Sequence, residues 1–291
     1  ISILKKKMAG WDWFYNFLKR NPSISLRKPE ATSLARAQAF NKTNISKYFE
    51  KLKTVMDTYN FQPQNIYNMD ESGFSTVQNQ TKRIVATKGR KQVGTLSSAE
   101  RGQHFTAVCC MNAIGQYVPP TLIFPRKNMK KELTDKAPTG CVGLPSESGW
   151  MTGEHFLTWL KHFVKYSKPN SSDNKVLLIL DGHSSHKHLS ALEYAKENNI
   201  VLFCLPPHCT HRVQPLDVTF FGPLTTYYNS EVTKWFRSHP GRTITHYQVG
   251  ELFKEAHVKS ATVSNATKGF AATGIFPFNE DVFPEWIFIP S

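Results

Sequence analysis

Acidic residues are scarce in this chain: 22 Asp and Glu stand against 36 Lys and Arg among 291 residues, a formal charge of +14. That imbalance excludes an acidic, solvating polypeptide and favours a polyanionic partner. Long apolar runs are missing too. The longest purely aliphatic stretch, Val176 to Leu180, falls far short of the roughly 20 residues a membrane helix needs, so no membrane partner is expected. Cysteine is limited to Cys109, Cys110, Cys141, Cys204 and Cys209, an odd set without a C-x-x-C pair. This excludes a disulfide framework and predicts thiols in a reducing, intracellular setting. The N-terminal Ile1-Ser-Ile-Leu-Lys-Lys-Lys7 has its charge after its few apolar residues and no small-residue cleavage site, so it is not read as a secretory signal. An initiating Met is absent, as expected of a fragment. What is present is a globular composition, 40% apolar and 12% aromatic, long enough for one large domain or two smaller ones.

The basic charge is unevenly spread. Residues 1–60 carry 12 Lys and Arg against 4 acids, a net of +8, leaving +6 for the other 231 residues. Trp11, Phe14, Phe17 and Leu18 recur at helical spacing, and Asn21-Pro22 breaks the pattern. A second short helix is predicted over Ser33 to Phe40. A third is predicted from Asn44 as its cap, with Ile45, Phe49, Leu52 and Met56 along one face. Three short helices with basic residues among them fit a small all-α helix-turn-helix remnant. A basic face that is merely solvated fits the charge equally well.

From Phe61 the pattern changes to short β-type runs alternating with helices. Asn65 to Met69 is a strand candidate ending on Asp70, and Phe105–Met111 with Gln116–Phe124 reads as a hairpin whose Pro119-Pro120 implies an edge or a bulge. Thr152 caps a predicted helix to about Tyr166, and Val176 to Leu180 reads as a strand buried on both faces, ending on Asp181. A helix over Leu189–Glu197, a further buried strand over Val201–Leu205 and a mainly helical Asp217–Arg237 complete the series.

Taken singly, each acid has an ordinary explanation: Asp181 starts an Asp-Gly turn and Asp217 caps a helix. Together they follow the order strand-Asp, hairpin, helix, strand-Asp, helix, strand, loop, Asp-helix. That is the order of a ribonuclease-H-like mixed-sheet α/β core, in which three carboxylates converge on two divalent cations. Glu71, next along the strand, points to the opposite face and is read as solvated or structural. His183, His186 and His188 have a His-x-x-His spacing that can ligate zinc, but nothing in the sequence completes such a site; contact of His183 or His186 with substrate phosphate is the other reading. His208 and His211 are read as shaping the loop before Asp217.

The residues also carry a resemblance. Asn68-Met-Asp-Glu-Ser-Gly73, Leu178-Ile-Leu-Asp-Gly-His-Ser-Ser-His186, Cys204-Leu-Pro-Pro-His208, His211-Arg-Val-Gln-Pro-Leu-Asp217 and Phe221-Gly-Pro-Leu224 resemble successive blocks of the pogo and Tigger group of DDE transposases, in the mariner-like superfamily. Gly10-Trp-Asp-Trp-Phe14 and Leu26-Arg-Lys-Pro-Glu-Ala-Thr-Ser33 resemble the end of a centromere-protein-B-type helix-turn-helix domain, and Gly269 to Asn279 resembles the group's closing segment. The resemblance implies residues 1–60 as the last part of a DNA-binding domain, 61–240 as a DDE endonuclease domain and 241–291 as a C-terminal helical extension. The group's pattern begins with a further helix-turn-helix unit, and the resemblance here covers the last part of the second.

Carried over position by position, the resemblance implies Asp70, Asp181 and Asp217 as catalytic, metal-binding residues for two Mg²⁺ or Mn²⁺ ions. The partners implied are DNA, both transposon terminal repeats and target, and a second copy of the chain in a homodimer; the location implied is the nucleus. DNA contact is expected at Arg20, Arg27, Lys28 and Arg36 in the helical module and at Lys88, Arg90 and Lys91 in a basic loop, with Arg suited to base edges and Lys to phosphate. A catalytically silent, domesticated DNA-binding or chromatin protein of the same family is the alternative, and a nuclease acting on RNA through the same core is a more distant one.

Overall fold

Side chains that alternate along the strands fill two hydrophobic cores, and this alternation organises the chain in the computed structural model, which describes residues 9–26, 33–77, 102–169 and 174–288. The helices α1 (Trp11–Arg20), α2 (Leu34–Ala39) and α3 (Lys42–Tyr59) come first. They are followed by β1 (Ile66–Ser75), β2 (His104–Asn112), β3 (Tyr117–Pro125) and β4 (Val142–Ser146). Then come α4 (Gly153–Ser167), β5 (Val176–Leu180), α5 (Leu189–Glu197) and β6 (Ile200–Cys204). The chain closes with α6 (Thr210–Val213), a π-helical turn (Leu216–Phe220), α7 (Phe221–Ser238), α8 (His246–Ser260) and α9 (Val263–Ala272).

The six strands form one mixed sheet in the order β4-β3-β2-β1-β5-β6. β1, β2 and β3 are antiparallel neighbours, whereas β5 runs parallel to β1, β6 parallel to β5 and β4 parallel to β3. Because successive strand residues point to opposite faces, Ile66 and Phe74 of β1 with Leu177 and Ile179 of β5 face one core, shared with α3 and the helices after β6. Tyr67, Met69, Leu178 and Leu180 face the other, filled by Phe156, Trp159, Leu160 and Phe163 of α4. Each such side chain is worth about 1.5–3 kcal/mol when fully buried. Ile45, Tyr48, Phe49 and Leu52 of α3 belong to the first of these cores, together with Phe253 of α8 and Phe270 of α9.

Several expectations are corrected. β1 does not stop at Asp70 but runs on to Ser75, because β2 pairs with it along its whole length, from Tyr67↔Asn112 to Ser75↔His104. The cap of α3 is Asn41, whose side chain accepts a bond from Asn44 N at 2.9 Å, rather than Asn44 itself. At Pro119-Pro120 the bulge, one of the two expected readings, is what forms: the β2–β3 register shifts between Val108 and Cys110, and β4 pairs with β3 from Thr121 onward. β6 ends the sheet, so it is only partly buried, with Cys204 exposed. No described cysteine is in a disulfide.

Candidate active site

The register of the two central parallel strands builds the site. Asn68 of β1 is level with Ile179 of β5, and continuing that register sets Asp70 level with Asp181, one residue past the end of β5. Both acids share the side-chain parity of Ile66, Asn68, Leu177 and Ile179, so they leave the same face of the sheet. β5 ends at Leu180 while β1 continues, which leaves Asp70 beside an open strand end.

Asp217 reaches this point from a different part of the chain. Buried Asn68 donates through Nδ2 to the carbonyl of Ile179 at 3.0 Å and accepts at Oδ1 from the backbone N–H of Leu216 at 2.9 Å. One carboxamide thus ties β1, β5 and the residue before Asp217 together. Asp217 lies in the π-helical turn Leu216–Phe220, a rare geometry that recurs at functional sites.

Asp70 senses the charges of the other two acids, and Asp217 senses that of Asp181. Burial, then the charges of Glu71, Asp217 and Asp181, push the Asp70 carboxyl well above the ordinary carboxylate range, even though part of its side chain still reaches solvent. Exclusion of water also raises Asp217, with Asp181 adding to it and the Thr210 hydroxyl and Arg36 charge opposing it. Asp181 goes the other way. Burial acts to raise it, but hydrogen bonds from His186 and from the backbone N–H of His183 outweigh burial and hold its carboxyl low.

Asp70, Asp181 and Asp217 carry the carboxylate oxygens that a hard cation such as Mg²⁺ or Mn²⁺ takes as ligands. The fit is one of donor chemistry and mutual electrostatic reach. Among the described residues no group of three or more His, Cys, Asp and Glu stands in an arrangement that holds a metal ion.

His186 is where sequence reasoning was least informative. Its side chain is 1% exposed, so it does not reach substrate. Nδ1 lies 3.0 Å from Asp181 Oδ1, and Nε2 lies 3.1 Å from Glu71 Oε1. Burial favours the neutral ring, but these two acids raise its pKa to about 10. Glu71 therefore points to the opposite face as expected, yet it is not solvated: its side chain is 17% exposed and bonded to His186. His183 turns Nδ1 to Ser185 Oγ at 2.8 Å.

The predicted DNA contacts divide. Arg20 is exposed in the last turn of α1. Arg36 lines a cavity of about 640 Å³ beside Asp217, with Thr210, Arg212, Phe283 and Ile287. This brings a residue of the basic N-terminal module to Asp217, which no local pattern signalled. Arg27, Lys28, Lys88, Arg90 and Lys91 lie outside the described residues.

A family model described as DDE superfamily endonuclease matches residues 103–269, a stretch that contains Asp181 and Asp217 and begins after Asp70. The chain is 31% identical over 225 residues to an MFS-type transporter, clz9, of Cochliobolus lunatus, covering 77% of this chain and 24% of that protein. It is 23% identical over 236 residues to a pogo transposable element with KRAB domain of Mus musculus, covering 78% of this chain and 36% of that protein. The chain thus spans about a quarter to a third of the length of these curated relatives. Among the described residues no helix is long and apolar enough to cross a membrane. Of solved structures, the Mos1 mariner paired end complex with Mn superposes with a TM-score of 0.56 at 12% identity, over 93% of this chain and 69% of that one. The Mos1 strand transfer complex gives 0.56 at 11% identity, over 92% and 67%. At these identities the likeness is one of fold.

Proposed function

The chain belongs to the DDE superfamily endonuclease family, with a ribonuclease-H-like mixed-sheet core, and on that premise we propose that it is the catalytic part of a pogo- or mariner-type transposase that cleaves DNA at transposon ends and joins the freed end to a target. The observation that carries the proposal is the shared exit of Asp70 and Asp181 from one sheet face, with Asp217 tied to the same strands through Asn68 and Leu216.

In this reading Asp70, Asp181 and Asp217 would hold two Mg²⁺ or Mn²⁺ ions. When bound, such a pair supplies the charge that polarises a phosphodiester, eases ionisation of the attacking hydroxyl and stabilises the leaving oxygen. The chain's own residues do the rest. Asp70, whose carboxyl burial and neighbouring acids push upward in the protein alone, would supply a carboxylate oxygen to a cation bound there. Asn68 holds the approach of Asp217 against β1. Arg36 and Arg212, in the cavity beside Asp217, bind backbone phosphate and orient the strand. Strand transfer reuses the site, with a 3′-hydroxyl in place of water. The Mos1 relatives solved with Mn and as a strand transfer complex support the ion choice and the second step by analogy.

Residues 1–60 would supply part of the DNA-binding region, a nuclear location follows from the substrate, and pairing of two ends calls for two copies of the chain. The test is cleavage of DNA bearing the flanking ends of the gene in Mg²⁺ or Mn²⁺ by the full-length protein and its Asp181→Ala variant. Cleavage by the wild type alone is expected. Equal cleavage by both, or none by the wild type, overturns the enzymatic reading and, where binding persists, leaves the silent DNA-binding alternative.

A further inference from the structure

Buried His186 spans two acids that stand on opposite faces of the sheet. Asp181 shares the face of Asp70, whereas Glu71 shares the face of Met69 and Leu180. The imidazole sits past the end of β5, packed against Phe156 at 4.7 Å between ring centroids, and each nitrogen meets a carboxylate oxygen, at 3.0 Å and 3.1 Å. Nδ1 also lies 3.2 Å from the Asp181 carbonyl. Each ring nitrogen serves one acid, so the geometry is that of a ring held between Asp181 and Glu71.

On the Asp181 side the clamp is asymmetric. Oδ1 takes the bond from His186 and another from the His183 backbone N–H at 3.0 Å. Oδ2 receives no hydrogen bond from a described residue, and 32% of the Asp181 side chain is exposed. A carboxylate with two hydrogen bonds on one oxygen and none from described residues on the other keeps that second oxygen for a cation.

We propose that His186 and Glu71 are positioning residues for a divalent cation: Glu71 fixes the His186 ring, His186 fixes Oδ1 of Asp181, and Oδ2 is thereby presented to the ion. The inference rests on Asp181 being a cation ligand, as proposed above. Outer partners that hydrogen-bond a metal's carboxylate ligands cost about 10–100-fold in metal affinity when removed, which sets the size of the expected effect. Glu71 acts through His186 and not on the ion.

The experiment is Mn²⁺ titration of the full chain, followed by the loss of the free-ion electron paramagnetic resonance signal, with thermal unfolding of each variant in metal-free buffer as the fold control. Wild type is expected to bind, and Asp181→Ala to lose binding. Glu71→Ala and His186→Ala are expected to weaken Mn²⁺ binding about 10-fold or more, Glu71→Gln to restore it to within about threefold because its amide oxygen still accepts from the ring, and the double variant to bind no worse than His186→Ala alone. Unchanged or tighter binding by Glu71→Ala, or additive losses in the double variant, overturns the inference while leaving the Asp181 site intact. Mn²⁺ binding that survives Asp181→Ala, or its absence in the wild type, instead overturns the site and the inference with it. Should His186→Ala fail to fold, Glu71→Ala against Glu71→Gln decides the matter alone.

Discussion

The carboxamide oxygen of Asn68 accepts a hydrogen bond from the backbone N–H of Leu216 at 2.9 Å, across 148 positions of sequence. This bond places the residue preceding Asp217 directly over the strand that carries Asp70.

Asn68 is fully buried and satisfies two backbone groups, the Ile179 carbonyl and the Leu216 N–H. Each buried polar group left unpaired costs about 1–3 kcal/mol. Asn68→Leu is expected to lower unfolding free energy by about 2–4 kcal/mol in denaturant titration and to reduce DNA cleavage more than Mn²⁺-independent DNA binding. A change under about 0.5 kcal/mol, within the range of ordinary surface substitutions, contradicts the bridging role.

Asp70 is pushed upward by burial and by three neighbouring carboxylates. The sign is that of a group protonated in the folded protein at pH values where the unfolded chain has lost the proton, so a cation that binds there must expel it. In the pH range just above the ordinary carboxylate value of about 4, Mn²⁺ binding is expected to release a proton, read by calorimetry in buffers of different ionisation enthalpy, and affinity rises with pH. Asp70→Asn abolishes the release. Heats that do not depend on the buffer contradict this.

His257 is buried among Tyr117, Phe220 and Phe253, and burial lowers its pKa to about 4. The unfolded chain takes up the proton first, so this residue removes stability as pH falls from about 6.5 to about 4. The loss is on the order of 3 kcal/mol by linkage. His257→Phe is expected to flatten this part of the stability-against-pH curve relative to wild type. Parallel curves contradict it.

Arg36 lines the cavity beside Asp217 and its charge acts on that acid. If it contacts one backbone phosphate, Arg36→Ala lowers affinity for all DNA sequences alike and reduces the slope of log affinity against log salt by about 1. Fluorescence anisotropy at several salt concentrations measures this. An unchanged slope places Arg36 off the DNA path.

How much of this was legible depended on whether the signal was local. Val176 to Leu180 is apolar throughout, and a strand buried on both faces follows directly. The helix Leu189–Glu197 and the Thr152 cap were equally plain from periodicity and capping chemistry. β4, with Gly143 and Pro145 in five residues, has no local β signal and exists because β3 offers it an edge. The continuation of β1 through Asp-Glu-Ser-Gly reads locally as a turn, and pairing with β2 overrides that preference. The three acids could be named from strand ends and the resemblance. The Glu71–His186 contact joins residues 115 apart and has no sequence period. Nor does the arrival of Arg36 beside Asp217, which depends on how α2 is set against the segment after β6.

The central claim is that Asp70, Asp181 and Asp217 form one cation site, and anomalous diffraction from crystals grown with Mn²⁺ tests it most directly. Two peaks about 3.5–4 Å apart, bounded by those three carboxylates, are predicted. Peaks elsewhere, for example on the His183–His188 segment, or an empty difference map between the three acids at saturating Mn²⁺, would contradict the account.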